Sequence, residues 1–253
     1  NQPLCLPKSI MKSEERQRSF FSTPYFHRFH LFVVAVMFAE LCASVTAMNP
    51  IVAENLLPGT PQSSWDIPTQ DMGNLTIQGF ASDISVNQGE TIFFKVNTSA
   101  IAWKIDIFRL GFYNGAGGRF ITTVLPSVSL PQIQPPCFND SSTGLLDCGN
   151  WQVSASWQVP LTTTSGYFIG KATRNDTGTF SHIVFIVRND SSSSDILFQA
   201  SDTSWQAYNS YSSNFYGCPS GQWTSSCRAF KISYNRPFVS SFLFLIIIFC
   251  AFL

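Results

Sequence analysis

Trp103-Lys-Ile-Asp-Ile-Phe-Arg-Leu110 is the stretch on which the fold class turns, because its apolar and polar side chains alternate. Trp103, Ile105 and Ile107 share one side of an extended chain, and Lys104 and Asp106 take the other. Successive side chains on a strand point to opposite faces, so this pattern predicts a half-buried antiparallel strand. Similar β-branched or aromatic runs lie on either side of it. Thr91-Ile-Phe-Phe-Lys-Val96, Arg119-Phe-Ile-Thr-Thr-Val124 and Gln152-Val-Ser-Ala-Ser-Trp-Gln-Val159 are three of them. Gly166-Tyr-Phe-Ile-Gly-Lys-Ala172 and His182-Ile-Val-Phe-Ile-Val187 are two more, each bounded by Gly, Pro, Asn or Ser. Leu75–Phe80 and Ser82–Val86 add further candidates. About seven or eight short strands with no strong amphipathic helix between them predict an antiparallel β-sandwich over residues 49–190 and a mainly β chain.

Two features of this region invite a stronger chemical reading and do not earn it. Gly111-Phe-Tyr-Asn-Gly-Ala-Gly-Gly-Arg119 is rich in glycine, but no Gly-Lys-Ser/Thr follows and strands flank it on both sides. A phosphate loop needs a helix N-terminus behind it, so a hairpin turn is expected instead. His182 opens an apolar strand with no Cys or acid partner close in sequence, and the expectation is a structural role at a strand end.

Composition bounds the rest. The 253 residues suffice for one large or two modest domains; only 12% are charged, and Lys plus Arg (15) balance Asp plus Glu (15). With no clustered cations to meet phosphates, no nucleic-acid partner is expected. Residues 1–47 have the make-up of a signal peptide or leader: scattered basic residues, the apolar run Leu31–Phe38 and the small-x-small pattern Val45-Thr-Ala47. Glu40 interrupts the pattern, and an uncleaved signal anchor is the competing reading, although the run is short for a bilayer span. Met11 within the leader suggests that translation starts elsewhere than at Asn1. The hydrophobic tail 239–253 admits a membrane anchor, a lipid-anchor signal or an unrelated end to the reading frame after Phe238; truncation or a mispredicted gene is favoured, with membrane insertion through 239–253 left open. These features place the chain in the secretory pathway, extracellular or membrane-associated.

Cysteines and acceptor asparagines point the same way. Outside the leader and tail stand Cys137, Cys148, Cys218 and Cys227, in two locally spaced, loop-like intervals that predict two disulfides in an oxidising compartment. Zinc is the rival, but there is no Cys-x-x-Cys and His182 is the only histidine after the leader. Asn74, Asn97, Asn139, Asn175 and Asn189 each open an Asn-x-Ser/Thr sequence and are candidate glycosylation sites.

At Asn189-Asp-Ser-Ser-Ser-Ser-Asp195 the chain becomes polar, as an interdomain linker would. Ile196-Leu-Phe-Gln-Ala200 then reads as a short buried strand, Ser201-Asp-Thr-Ser204 as a loop or helix N-cap, and an aromatic cluster follows. A strand ending in a polar loop is where α/β domains commonly place ligands.

Taken together, Asn49-Pro-Ile-Val-Ala-Glu-Asn55, Asp83-Ile-Ser-Val86, Arg109-Leu-Gly-Phe-Tyr113, Asp147-Cys-Gly-Asn-Trp151, Arg188-Asn-Asp190, Ser201-Asp-Thr-Ser-Trp-Gln-Ala-Tyr-Asn209 and Ser233-Tyr-Asn-Arg-Pro-Phe238 resemble the N,N-dimethylformamidase large (beta) subunit-like family. The resemblance runs from about Asn49 to Phe238. It implies a β-sandwich followed by an α/β catalytic region similar to class I glutamine amidotransferases, whose start is 195–238 and which is cut short here. In complete members it implies a mononuclear iron, held by two tyrosines and a glutamate, that activates water to hydrolyse a small amide. Tyr208 and Tyr234 best match the tyrosine ligands, with Tyr211 in reserve; a phenolate is a hard oxygen donor suited to ferric iron. No Asp or Glu follows Asp202, so iron is expected in complete members and no cofactor in this chain. Core or interface packing of Trp205, Tyr208, Tyr211 and Tyr234 is an equal reading. No residue is named as catalytic. Two functions stand: a hydrolase, or fragment of one, acting on C–N bonds in small linear amides, and a non-catalytic extracellular β-sandwich module, membrane-tethered or free, that binds a glycan or protein.

Overall fold

The alternating runs become strands in the computed structural model, which describes residues 48–66, 68, 73–211 and 228–239. In chain order these are β1 (Ile77–Ala81), β2 (Ser85–Asn87), β3 (Thr91–Thr98), β4 (Trp103–Leu110), β5 (Gly118–Val124), β6 (Phe138–Asp140), β7 (Leu145–Asp147), β8 (Ala155–Gln158), β9 (Gly166–Arg174) and β10 (Phe180–Arg188). Among the described residues, three short α-helices accompany them: α1 (Pro50–Asn55), α2 (Gln62–Trp65) and α3 (Asp202–Tyr208). All of them belong to one unit, Pro50–Leu253.

The strands form a three-stranded sheet ordered β1-β3-β8, a five-stranded sheet ordered β2-β10-β9-β4-β5 and a β6-β7 hairpin. Every pairing is antiparallel except that of β2 with β10. One apolar core lies between the two larger sheets. Ile77, Ile92, Phe94, Val96 and Trp157 come from the smaller sheet, and Ile105, Ile107, Phe168, Ile183 and Phe185 from the larger. The sequence therefore folds as the expected antiparallel sandwich. Trp103, Ile105 and Ile107 are the buried side of β4, as their alternation predicts.

The other face of β4 is not left to water. Phe108 and Leu110 join Tyr167, Ile169 and Trp65 in a second cluster on the outside of the large sheet, with Ala200, Trp205 and Phe238 packed against it. Trp65 closes α2, and the last carbonyls of so short a helix have no partner within it. Side chains from the sheet supply them: Lys171 Nζ donates to Ser64 O (3.0 Å) and Asp66 O (3.4 Å), and His182 Nε2 meets Trp65 O at 3.0 Å. The expected structural role of His182 is thus visible as a buried anchor for α2.

The glycine-rich run is the β4-β5 turn. Tyr113, Asn114, Gly115 and Gly117 all have positive φ. The Trp65 ring lies so close to Gly117 and Gly118 that a Cβ at either would fall within 3.0 Å of it. Glycine is needed there for backbone angle at one position and for close approach at both.

His182 also sets a dependence on pH. Burial pushes its pKa down to about 4, with the Trp65 carbonyl pulling weakly upward and Lys171 pushing further down. The unfolded chain takes up this proton near pH 6.5, the folded protein only near 4. Between these values the unfolded state binds more protons, so stability falls as pH drops from 6.5 towards 4 and is fully present above 6.5. The loss expected from this group is on the order of 3 kcal/mol. Urea midpoints measured across that range should show the slope in the native protein and a shallower one in His182→Gln.

One expectation fails. Ile196–Ala200 is not a strand and is not buried as a unit: Ile196 is 79% and Leu197 92% exposed. A strand needs a neighbour for its backbone groups, and β2 already occupies the edge beside β10. Only part of the segment turns inward, where Phe198 meets the Tyr167 ring edge-on at 5.6 Å and Ala200 joins the second cluster.

Candidate functional site

Directly after this segment, α3 starts at Asp202 with Ser201 in the N-cap place and no side-chain cap. It is held on the sandwich by Trp205, whose ring centroid lies 5.6 Å from that of Tyr167. Residues 228–239 are stitched to α3 by buried polar groups. Asn209 Nδ2 donates to Pro237 O (2.8 Å), and Asn209 Oδ1 accepts from Val239 N (3.1 Å). The Arg236 guanidinium donates to the carbonyls of Gln206 and Ser233.

These ties bring two oxygen groups together. The Tyr234 hydroxyl donates to Asp202 Oδ2 at 2.6 Å. Both residues line a pocket whose other walls include Gly79, Ile84, Ile183 and Phe238, with Gln206 and Arg236 beside them. Burial, then the hydrogen bond to Asp202 and its negative charge, push the Tyr234 phenol up to about 12, so it stays protonated at neutral pH. Burial brings Arg236 down to about 10, which leaves it charged. The pocket therefore offers an apolar wall, a neutral hydroxyl donor, the two carboxylates of Asp202 and Asp83, and a cation within one small volume.

The residues singled out from the sequence are not all here. Tyr234 is in the pocket lining and Tyr208, at the end of α3, is not. Tyr211, the reserve, packs against the Phe80, Cys148 and Trp151 cluster, and burial raises its hydroxyl pKa. Asp202 was not singled out as a partner for Tyr234. Its only signal was that it is the last acid before the tyrosines.

Phenol and carboxylate oxygens are the hard donors that ferric iron accepts, and Tyr234 and Asp202 supply one each. Hydrolytic metal centres generally take three protein ligands; Tyr234 and Asp202 touch one another, and a further carboxylate, Asp83, also lines the pocket. The described residues contain no group of three or more His, Cys, Asp or Glu side chains able to hold a metal. Among the described residues, the two donors in contact fall one short of such a set.

Cys137 and Cys148 are joined, their Cα atoms 4.3 Å apart, whereas Cys218 and Cys227 lie outside the described residues. None of Asn74, Asn97, Asn139, Asn175 and Asn189 is buried; Asn97 Oδ1 accepts from Gln134 N at 2.9 Å. Residues 1–47 and all residues beyond Val239 also fall outside the described residues, and among the described residues no helix is long and apolar enough to cross a membrane.

The family described as N,N-dimethylformamidase beta subunit-like, C-terminal, matches residues 104–246, more than half of the chain, and so takes in Asp202, Tyr208 and Tyr234. No curated protein matches. Among solved structures, an uncharacterized protein from Bacillus anthracis str. Ames is 10% identical over 43% of this chain and 82% of its own, with a TM-score of 0.29. A likeness that weak carries no conclusion about fold or function.

Proposed function

Because the chain belongs to the N,N-dimethylformamidase beta subunit-like family, we propose that it serves the hydrolysis of a C–N bond in a small linear amide, at the pocket shared by Asp202 and Tyr234. The observation that supports this most is the 2.6 Å hydrogen bond between those two side chains beside an apolar wall. A small amide has an apolar flank, a carbonyl oxygen that accepts and a carbon that water must attack. In this reading the apolar flank rests against Ile84, Ile183 and Phe238. The Tyr234 hydroxyl, protonated at neutral pH, turns from Asp202 to the carbonyl oxygen and stabilises the charge that develops there. Asp202, so released, accepts a proton from the attacking water. The water oxygen bonds to the carbonyl carbon, the C–N bond breaks as the proton passes from Asp202 to the departing nitrogen, and the products are a carboxylic acid and a free amine.

The test is amine release by the full chain from N,N-dimethylformamide and other small linear amides. Tyr234→Phe should keep the fold and lower kcat/KM by about 10²-fold, since it removes one positioned proton donor. Amine release no faster than in buffer, at amide concentrations up to saturation, would overturn the hydrolase reading.

A further inference from the structure

Two runs that stood out in the sequence, Asp147-Cys-Gly-Asn-Trp151 and Ser233-Tyr-Asn-Arg-Pro-Phe238, meet in space, and the reaction above uses only Tyr234 and Phe238 of them. Asp147 Oδ2 accepts from Ser233 Oγ at 2.5 Å and from Asn235 Nδ2 at 3.3 Å, and Asp147 Oδ1 accepts from Gly149 N at 2.7 Å. The neighbouring Cys148 amide donates to Asn235 O at 2.6 Å. Farther along, Phe230 N donates to Thr143 O at 2.7 Å. A single carboxylate thus holds the residue before Tyr234 and the residue after it.

The end of the hairpin that carries this carboxylate is itself fixed. Cys148 is fully buried and joined to Cys137. Trp151 is 3% exposed, donates from Nε1 to Pro135 O at 2.9 Å and packs against Phe80 with ring centroids 5.6 Å apart. Lys95, reaching across from β3, donates to Gly149 O at 2.8 Å. Burial raises the pKa of Asp147, but the hydrogen bonds from Ser233, Gly149 and Asn235, with the charge of Lys95, outweigh it and hold the carboxyl below its ordinary range. The group is therefore ionised at neutral pH, and three protein donors already occupy it.

We propose that Asp147 is a positioning residue for Tyr234, and that the disulfide-closed β6-β7 hairpin is the rigid part from which it acts. The inference rests on the reading of the Asp202–Tyr234 pocket as the working site. With the two flanking side chains pinned to one rigid point, the backbone at 234 has few conformations left, and in those it keeps the phenol oxygen is within reach of Asp202. Asp147 does not line the pocket. Its effect passes entirely through Ser233 and Asn235.

The test reads that coupling without any turnover, so it can fail independently of the amide reaction. The full chain is labelled with ¹³C at tyrosine Cζ, and the Tyr234 resonance is identified by its loss in Tyr234→Phe. At neutral pH, Asp202→Asn should move that resonance in the native background. In Asp147→Ala the same change should move it by about half as much or less, the signature of two residues acting through one contact. Asp147→Asn, which keeps one acceptor oxygen, should restore part of the response. A full native response to Asp202→Asn in folded Asp147→Ala overturns the proposal. Should Asp147→Ala fail to fold, the pair Ser233→Ala with Asn235→Ala removes the two donors and leaves Asp147 in place: a response reduced to the same extent supports the proposal, and an undiminished one overturns it.

Discussion

Phe185→Ala should cost about 4 kcal/mol of folding stability and lower the melting temperature by roughly 10 °C. Phe185 is fully buried on β10 at the centre of the sandwich. Its ring stacks on Phe168, with centroids 5.6 Å apart, and meets Phe94 and Trp157 of the opposite sheet edge-on at 5.7 and 6.1 Å. Truncation removes the apolar area, opens a cavity that backbone on both sides keeps from collapsing, and ends three ring contacts worth about 0.5–1.5 kcal/mol each beyond that area. The control is Phe93→Ala. Phe93 lies one residue from the buried Phe94 on β3 but is 41% exposed, so its loss should cost less than about 1 kcal/mol. Chemical denaturation of both variants decides the matter, and equal costs would contradict the assignment of faces on which the sandwich rests.

That contrast also marks what the amino-acid sequence makes legible. Where apolar residues alternate over several positions, as from Trp103 to Ile107, burial of one face follows from strand geometry alone, and the sandwich follows from the number of such runs. Alternation says nothing about neighbours, however. That β2 pairs parallel to β10, or that Phe108 and Leu110 lie under Trp65, depends on contacts far apart in the chain. The strands β6 and β7, three residues each, are too short to carry a period. Apolar composition without a backbone partner misleads, as Ile196 and Leu197 show by lying exposed.

The candidate site divides the same way. Cys137 with Cys148 is legible as a pair because that inference is local, whereas Tyr234 stands out only through the family resemblance. The carboxylate that meets Tyr234 is not later in the chain: residues 228–239 fold back against α3 and so reach the earlier Asp202. The hold of Asp147 on Ser233 and Asn235 spans more than eighty positions and leaves no local trace.

Glu54→Ala should be the most damaging change to a charged residue, at about 3–5 kcal/mol. Glu54, on α1, is 8% exposed, and its Oε1 accepts from Arg119 Nε and Nη2, both at 2.7 Å, and from the Tyr113 hydroxyl at 2.8 Å. That hydroxyl in turn accepts from Arg109 Nη1 at 2.8 Å. Arg109 is 4% exposed and spends its remaining donors on the carbonyls of Leu110, Thr164 and Ser165. Without the carboxylate, the Arg119 guanidinium, 28% exposed, is left half in water, and the Arg109–Tyr113 chain loses its terminal acceptor; a largely buried charge without its partner costs more than the pair contributes when intact. Backbone strain adds to this: Tyr113 and Asn114 hold φ of 41° and 54°, angles that non-glycine residues keep only when their surroundings insist. The tie from Tyr113 to Glu54 is part of that insistence, so its loss frees the β4-β5 turn as well as α1. Glu54→Gln keeps one acceptor oxygen without the charge and should cost less, about 1–2 kcal/mol. In Arg119→Ala, the further change Glu54→Ala should cost at least about 1 kcal/mol less than in the native chain, because the partner it strands is already gone. Urea denaturation of the four members of that cycle measures the coupling directly, and strictly additive costs would show that Glu54 and Arg119 stabilise the fold independently.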